Sequence, residues 1–264
     1  AEVDEINLLN IPSPHMTISN VVRLRDEIIT YSKENIYDGF VITHGTDTLE
    51  ETAFLIDLLI DIQEPIVITG AMRSSNEIGS DGLYNFISAI RVASSSEANH
   101  KGVMVVFNDE IHTARNVTKT HTSNINTFQS PNQGPLGVLT KNRVQFYHHP
   151  YRQTTYQYID VNLRVPLVKA YMGMEDDVLS FYSQQHVDGI VIEALGQGNL
   201  PKSCLNGLQQ CLKKNIPLVL VSRSFNGIVS PVYAYEGGGA DLKNNGVIFS
   251  NGLNAVSYTH LRAH

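Results

Sequence analysis

The chain has 264 residues, of which 42% are hydrophobic and 17% charged, a composition typical of a globular protein large enough to bury its own core. Its net charge is −7 and no cluster of Lys and Arg interrupts it, which argues against a nucleic-acid partner. The longest apolar run, residues 216–221, falls far short of the ~20 residues that a membrane-spanning helix needs, so we expect a soluble protein without a membrane partner.

Short β-branched runs alternate with longer amphipathic segments over the first 107 residues. This alternation is typical of βαβ units, which form parallel sheets with right-handed crossovers. The predicted strands are 6–11, 39–43, 65–69 and 102–107, and the predicted helices are 49–59, 81–93 and a segment through 21–29 that Thr17 or Ser19 caps.

The periodicity stops between residues 108 and 130, and so long an aperiodic stretch inside a compact domain is usually functional or mobile. Residues 137–147 predict a hairpin that turns at Lys141 and Asn142. A segment rich in Tyr, Gln and His follows at 148–165, and we interpret it as a linker.

A second, smaller unit follows the linker over residues 166–253. The sequence thus predicts an α/β protein in which a larger N-terminal domain, residues 1–147, has a mostly parallel sheet flanked by helices. The tail, 254–264, has no such patterning, so we expect it to make few contacts. In the smaller unit the predicted strands are 167–171, 189–193 and 217–222, and the predicted helices are 176–186 and 201–214.

The two cysteines, Cys204 and Cys211, lie seven residues apart in the helix predicted at 201–214. At 1.5 Å rise per residue their Cα atoms would be ~10 Å apart, too far for a disulfide. We therefore expect free thiols, which suit the reducing cytoplasm.

Polar residues directly after predicted strands are candidates for chemistry, because ligands bind at the carboxyl ends of strands in open α/β sheets. After the strand at 39–43 come Thr46, Asp47 and Thr48. Thr48 with Glu51 predicts a capping box for the following helix. That role does not explain Thr46 and Asp47, which next to a helix N-terminus would suit an α-amino acid zwitterion.

Two further segments allow both a structural and a chemical interpretation. Gly70 follows the strand at 65–69, and residues 80–82 suit a helix cap, so turn chemistry explains both. Lys119 lies between two threonines in the aperiodic stretch, where it is either a solvated charge or a base whose pKa burial lowers.

Several common motifs are missing from the 264 residues. The sequence contains no G-x-x-x-x-G-K-[ST], no H-E-x-x-H and no G-x-S-x-G, which excludes the simplest ATPase, zinc protease and hydrolase hypotheses. The ten histidines have no ligand spacing. We therefore expect neither a metal nor a cofactor.

Residues 41–53, Val-Ile-Thr-His-Gly-Thr-Asp-Thr-Leu-Glu-Glu-Thr-Ala, resemble a motif of the bacterial L-asparaginase family, amidohydrolases with a threonine nucleophile. The resemblance covers roughly residues 1–253 and implies a two-domain enzyme that converts L-asparagine to L-aspartate and ammonia without a cofactor. The other matching segments, in order, are 69–73, 80–82, 117–119, 134–137, 189–191 and 196–200.

The resemblance also implies a role for individual residues. Lys119 and Asp47 would activate the hydroxyl of Thr46 or a water, and Asp47 would also hold the substrate α-ammonium. Ser13 would bind the substrate α-carboxylate, and the backbone after Gly70 would help to stabilise the oxyanion.

The family further implies a homodimer or homotetramer in which the small domain of a neighbouring subunit completes each site. Gln197, Asn199 and Glu236 would then act on the site of that neighbour.

Two departures from the family limit these implications. Family members carry a strand that ends in Thr-Gly-Gly-Thr, whose threonine attacks the amide, and no such sequence occurs here. The tail at 254–264 differs from the family's basic C-terminal helix. We therefore expect an inactive fragment. A glutaminase-asparaginase, the amidase subunit of a tRNA-dependent amidotransferase and a catalytically dead amino-acid-binding module remain alternatives.

Overall fold

A computed structural model describes residues 2–151 and 154–261 of the chain. The chain forms two compact units, Ala1–Val161 and Asn162–His264. Residues 152–153 within the predicted linker and 262–264 at the end of the predicted tail are not among the described residues.

The first unit contains most of the helices and strands predicted for it. Its helices are α1 (Ile18–Ser32), α2 (Leu49–Leu59) and α3 (Gly82–Ala93), with short 3₁₀ turns at Ser13–His15 and Ser96–Ala98. Its strands are β1 (Phe40–Thr43), β2 (Ile66–Thr69), β3 (Val103–Phe107), β4 (Glu110–Thr113), β5 (Thr118–Lys119), β6 (Phe128–Gln129), β7 (Gly137–Leu139) and β8 (Val144–Phe146).

The main sheet of this unit has the strand order β1-β2-β3-β4-β7-β8. Strands β1, β2 and β3 are parallel, whereas β4, β7 and β8 add antiparallel pairs. The α/β class is confirmed, but the sheet is mixed rather than mostly parallel. The reason is that the chain turns back directly after β3 through a left-handed Asn108 and Asp109, which makes β4 a hairpin partner of β3.

Local sequence features explain several of the observed helices and strands. Thr17 caps α1 in a reciprocal capping box with Asn20, as expected for a threonine before an amphipathic segment. Every residue of β2 and β3 is buried, in line with their continuous apolar runs. The predicted hairpin at 137–147 is also confirmed, by the pairing of β7 with β8.

Two expectations for the first unit are wrong. Residues 6–11 form no strand, and Ile6 and Ile11 are exposed, since apolar alternation makes a strand only where a partner edge is available. The stretch 108–130, for which the loss of periodicity predicts no strand, contains β4, β5 and β6. The fully buried His112 in β4 connects the two ends of this stretch, because its Nδ1 lies 2.9 Å from Ser130 Oγ.

The second unit has a parallel sheet in the order β12-β11-β10-β9. The free thiols predicted at Cys204 and Cys211 are confirmed, and both cysteines are buried in the core of this unit. Its strands are β9 (Leu167–Lys169), β10 (Ile190–Ala194), β11 (Leu218–Ser222) and β12 (Ile248–Phe249), and its helices are α4 (Asp177–Ser183), α5 (Leu205–Lys213), α6 (Gly239–Asn244) and α7 (Ala255–Leu261).

The helix α7 contradicts the expectation that residues 254–264 make few contacts. Ala255 is buried against Val191 and Val221, and Tyr258 packs on the same cluster. The side chain of Asn254 accepts a hydrogen bond from the backbone N–H of Ser257 at 3.0 Å, which starts the helix. A helix of seven residues is too short to show a periodicity in the sequence, which is why it was missed.

Among the described residues, no helix has both the length and the apolar character needed to cross a bilayer.

Candidate active site

The loop at residues 44–48, between β1 and α2, meets β5 in the first unit. The ammonium of Lys119 lies 3.0 Å from Thr46 Oγ1 and 2.8 Å from Asp47 Oδ1. The Lys119 side chain is only 18% exposed, whereas that of Asp47 is 61% exposed. A lysine, a threonine hydroxyl and a carboxylate thus form a contiguous hydrogen-bonded group with one open side.

Ser13 lies beneath the same loop and is buried. Its hydroxyl accepts a hydrogen bond from the backbone N–H of Asp47 at 3.3 Å, and its carbonyl accepts one from the Thr48 hydroxyl at 2.7 Å. Gly45 allows this approach, because a Cβ at that position would lie 2.7 Å from Ser13 Oγ. The loop and the turn at residues 13–15 therefore hold each other in place.

This arrangement corrects the capping-box expectation for Thr48. Thr48 occupies the N-cap position of α2, yet its side chain makes no capping hydrogen bond to the helix. The reason is that the Thr48 hydroxyl donates its hydrogen bond to the Ser13 carbonyl instead. That partner is 35 residues away in the chain, so no local pattern identifies it.

A further carboxylate, which the sequence did not indicate, contacts the backbone of Lys119. The backbone N–H of Lys119 donates a hydrogen bond to Glu50 Oε2 at 2.5 Å. Burial raises the pKa of Glu50 from 4.5 to about 7. In the sequence Glu50 reads as an ordinary acidic residue in the first turn of a helix, so it carries no signal of this contact.

The loop after β2 comes close to the loop after β1. A Cβ on Gly70 would lie 2.2 Å from the carbonyl oxygen of His44, so only glycine fits at this crossing. The side-chain amide of Asn85 donates to the Gly70 carbonyl at 3.0 Å and so fixes the loop. The structure therefore places Gly70 beside the loop that carries Thr46 and Asp47.

The prediction that residues 80–82 cap α3 is confirmed for the place where the helix begins, but not for a capping hydrogen bond. Asp81 stands at the N-cap, but its side chain does not cap the helix. Its carboxylate instead accepts hydrogen bonds from the backbone N–H groups of Met72 and Arg73 at 2.9–3.1 Å. Asp81 thus shapes the loop that follows Gly70.

The remaining predicted site residues, Gln197, Asn199 and Glu236, lie in the second unit. The Asn199 side-chain oxygen accepts from the backbone N–H of Gly239 at 3.0 Å, so the segments around 197–199 and 236–239 are neighbours. Gln197 is exposed, and the exposed Glu236 pairs with Lys202. Gln197 and Glu236 thus present polar side chains to solvent from neighbouring segments of the second unit.

Over residues 2–151 and 154–261, no group of three or more His, Cys, Asp or Glu side chains is arranged to hold a metal ion.

The buried Glu50 makes stability depend on pH in a predictable direction. The folded state keeps the Glu50 proton up to about pH 7, whereas the unfolded state releases it near its ordinary pKa of 4.5. The free energy of unfolding should therefore fall as the pH rises between these values, by up to about 3 kcal/mol from this group. Glu50→Gln should remove this dependence.

Urea unfolding of the wild type and Glu50→Gln at about pH 5 and about pH 8 measures the effect. We expect the variant to gain stability relative to the wild type on going to the higher pH. An equal change in both proteins would contradict a raised pKa for Glu50.

Comparisons with known proteins cover nearly the whole chain. The family model described as "Asparaginase, N-terminal" matches residues 1–152, and the model described as "Glutaminase/Asparaginase C-terminal domain" matches residues 164–261. The second match includes most of the predicted tail, residues 254–264.

Individual relatives agree with these matches. The chain is 33% identical over 247 residues to an L-asparaginase of Bacillus licheniformis, and the aligned region covers 94% of this chain and 77% of the relative. It is 37% identical over 258 residues to a probable L-asparaginase of Deinococcus radiodurans, at 96% and 78% coverage. The crystal structure of a probable cytoplasmic L-asparaginase from Campylobacter jejuni is similar with a TM-score of 0.89 and 34% identity, covering 99% of this chain and 83% of that one.

Proposed function

Because the chain belongs to the asparaginase family, we propose that it hydrolyses the side-chain amide of L-asparagine to L-aspartate and ammonia. The observation that carries the proposal is the Lys119 ammonium within hydrogen-bonding distance of both Thr46 Oγ1 and Asp47 Oδ1. Relatives named L-asparaginase, at 33% identity, and probable L-asparaginase, at 37% identity, support the substrate.

In the proposed mechanism these side chains move the proton and hold the substrate. Lys119 accepts a proton from a water, directly or through the Thr46 hydroxyl, as that water bonds to the acyl carbon and displaces the attacking threonine, and Asp47 stabilises the resulting ammonium. Lys119 then returns the proton to the displaced threonine oxygen. The open side of Asp47 leaves an oxygen for the substrate α-ammonium. Ser13 binds the α-carboxylate, and the backbone after Gly70 stabilises the oxyanion.

The proposed mechanism assigns the covalent step to a threonine outside these residues, since no Thr-Gly-Gly-Thr sequence occurs in the chain. We expect negligible ammonia release from the 264 residues alone. Release should appear when a strand ending in Thr-Gly-Gly-Thr is joined to the N-terminus, because the attacking hydroxyl is then present.

A coupled assay of ammonia from L-asparagine, run on both forms, tests this expectation. The same strand with both threonines replaced by valine is the matched control and should stay inactive. Absence of hydrolysis in every form, with L-aspartate still bound, would favour the amino-acid-binding module instead.

A second candidate is the hydrolysis of L-glutamine, because the C-terminal family model is shared by glutaminases and asparaginases. The two substrates differ by one methylene, which a pocket discriminates by only ~1–3 kcal/mol. The ratio of kcat/KM for the two amides in the same assay decides between these activities.

We also propose a homodimer or homotetramer in which Gln197, Asn199 and Glu236 of one protomer complete the site of another. Their position on neighbouring segments of the second unit, with Gln197 and Glu236 exposed, supports this. Nearby exposed apolar side chains are a further support, since such side chains together are typical of a protein interface. These are Phe225, Ile228, Val232, Tyr233 and Tyr235.

For location, we propose the cytoplasm. The two buried free thiols suit a reducing compartment, and the similar Campylobacter jejuni structure is named cytoplasmic. A relative from Haemophilus influenzae, 34% identical over 223 residues, is named periplasmic, so cell fractionation against markers of both compartments is the test.

A further inference from the structure

Glu50 joins two parts of the chain that are 69 residues apart. It lies in the first turn of α2, directly after the loop that carries Thr46 and Asp47. Its carboxylate accepts the backbone N–H of Lys119 at 2.5 Å and a hydrogen bond from the Thr118 side chain. Both residues of β5 are therefore bound to one carboxylate at the start of α2.

The short strand β5 needs such support. Within the described residues it pairs only with β6, as a two-stranded sheet separate from the large one. The partner strand is fixed by Phe128, whose ring packs on Phe107 at 4.5 Å between centroids. A two-residue strand has little stability of its own, so a bond from its backbone to a helix restricts where its side chains point.

We propose that Glu50 is a positioning residue for Lys119. By holding the backbone of β5 against the first turn of α2, it sets the distance at which the Lys119 ammonium reaches Thr46 and Asp47. The inference rests on the proposed role of Lys119 in proton transfer, whereas the bond between Glu50 and β5 is independent of that role.

The charge of Glu50 bears on the strength of this hold. The charged groups around it are Glu51 on α2, Lys119 on β5 and, through its ion pair with Lys119, Asp47 on the loop. A carboxylate accepts the two bonds from β5 more strongly than a neutral carboxyl group. With a pKa near 7, Glu50 should weaken its hold on β5 as the pH falls below neutrality.

The same helix supplies a matched control. Near the other end of α2, the buried Asp57 accepts the backbone N–H of Val103 in β3 at 2.9 Å. Asp57→Asn therefore replaces the carboxyl group by an amide in the same kind of helix-to-strand bond, but at a strand that does not carry Lys119. A general loss of stability should affect both variants, whereas a positioning effect should be confined to Glu50.

The first test uses the chain labelled with [15N]lysine, with Lys119→Met identifying the Lys119 amide signal. In the wild type and in Asp57→Asn we expect this amide proton to lie downfield and to shift with a midpoint of about pH 7. In Glu50→Gln the shift with pH should disappear. A Lys119 amide that does not titrate between about pH 5.5 and about pH 8.5 in the wild type would overturn the inference.

The second test uses the form of the protein that hydrolyses asparagine. Glu50→Ala should lower kcat about 10- to 100-fold with KM changed less than about 3-fold, because a displaced base affects proton transfer more than substrate binding. Glu50→Gln, which keeps an acceptor oxygen and guards against a misfolded Ala variant, should recover part of kcat. Asp57→Asn should leave both constants within about 3-fold.

Equal losses of kcat in Glu50→Ala and Asp57→Asn, or an unchanged kcat in Glu50→Ala, would overturn the inference. If the form that carries the Thr-Gly-Gly-Thr strand hydrolyses no asparagine, the proposed function fails. The lysine titration then still decides whether Glu50 holds Lys119, so the two failures are distinguishable.

Discussion

Replacing Lys119 by Met should lower kcat for L-asparagine ~10²- to 10⁴-fold in the form that carries the Thr-Gly-Gly-Thr strand. Met keeps the length of the side chain but cannot accept or donate a proton. The contact with Thr46 Oγ1 can then no longer transfer a proton. Substrate affinity should change much less, because the proposed contacts with the α-ammonium and the α-carboxylate are made by other residues. Steady-state ammonia release measures both constants.

Lys101→Met is the matched control for this variant. Lys101 is 4% exposed, and its ammonium lies 3.1 Å from His149 Nδ1 and 4.7 Å from the centre of the Phe146 ring. The same chemical change there should reduce stability and leave kcat near the wild-type value. Unchanged kinetics in Lys119→Met, or similar losses in the two variants, would remove Lys119 from the mechanism.

Replacing Asp47 by Asn should raise KM about 10- to 100-fold, the loss expected when a charged hydrogen bond to the substrate α-ammonium is removed. The smaller end of this range applies if the site stays as open as in the free chain, where 61% of the Asp47 side chain is exposed. The turnover rate should fall as well, because Lys119 loses its ion-pair partner at 2.8 Å.

Asp26→Asn is a suitable control for Asp47→Asn. The Asp26 side chain is 60% exposed and pairs with Arg25 at 2.6 Å, so its exposure and pairing resemble those of Asp47. Surface ion pairs of this kind contribute little, and the control should keep wild-type kinetics. An unchanged KM in Asp47→Asn would show that the α-ammonium binds elsewhere.

The sequence predicts those parts of the fold whose burial produces a regular pattern. Strands β2 and β3 are buried at every position and so read as continuous apolar runs, while α2 was predicted with its observed bounds. In contrast, β5 and β6 have two residues each. Elements this short are defined by the partners they find in the folded chain, which a local pattern does not contain.

The candidate site was predictable to a different extent. The position of Thr46 and Asp47 directly after a predicted strand makes them candidates for binding an amino acid. Their link to Lys119, more than 70 positions away, follows only from the family resemblance, since no spacing rule connects residues so far apart. The roles of Thr48 and Asp81 were misjudged because both occupy helix N-cap positions while their side chains bond to other loops. Glu50 was missed because a buried acceptor in the first turn of a helix has the same sequence signature as a solvated one.

The most direct measurement is a crystal structure with the product L-aspartate bound. The account predicts the α-ammonium about 3 Å from Asp47, the α-carboxylate at Ser13 and the side-chain carboxylate beside Thr46 and Lys119. Side chains of Gln197, Asn199 or Glu236 from a second protomer should contact the same molecule. Aspartate bound in a pocket that contains neither Asp47 nor Lys119 would contradict the account.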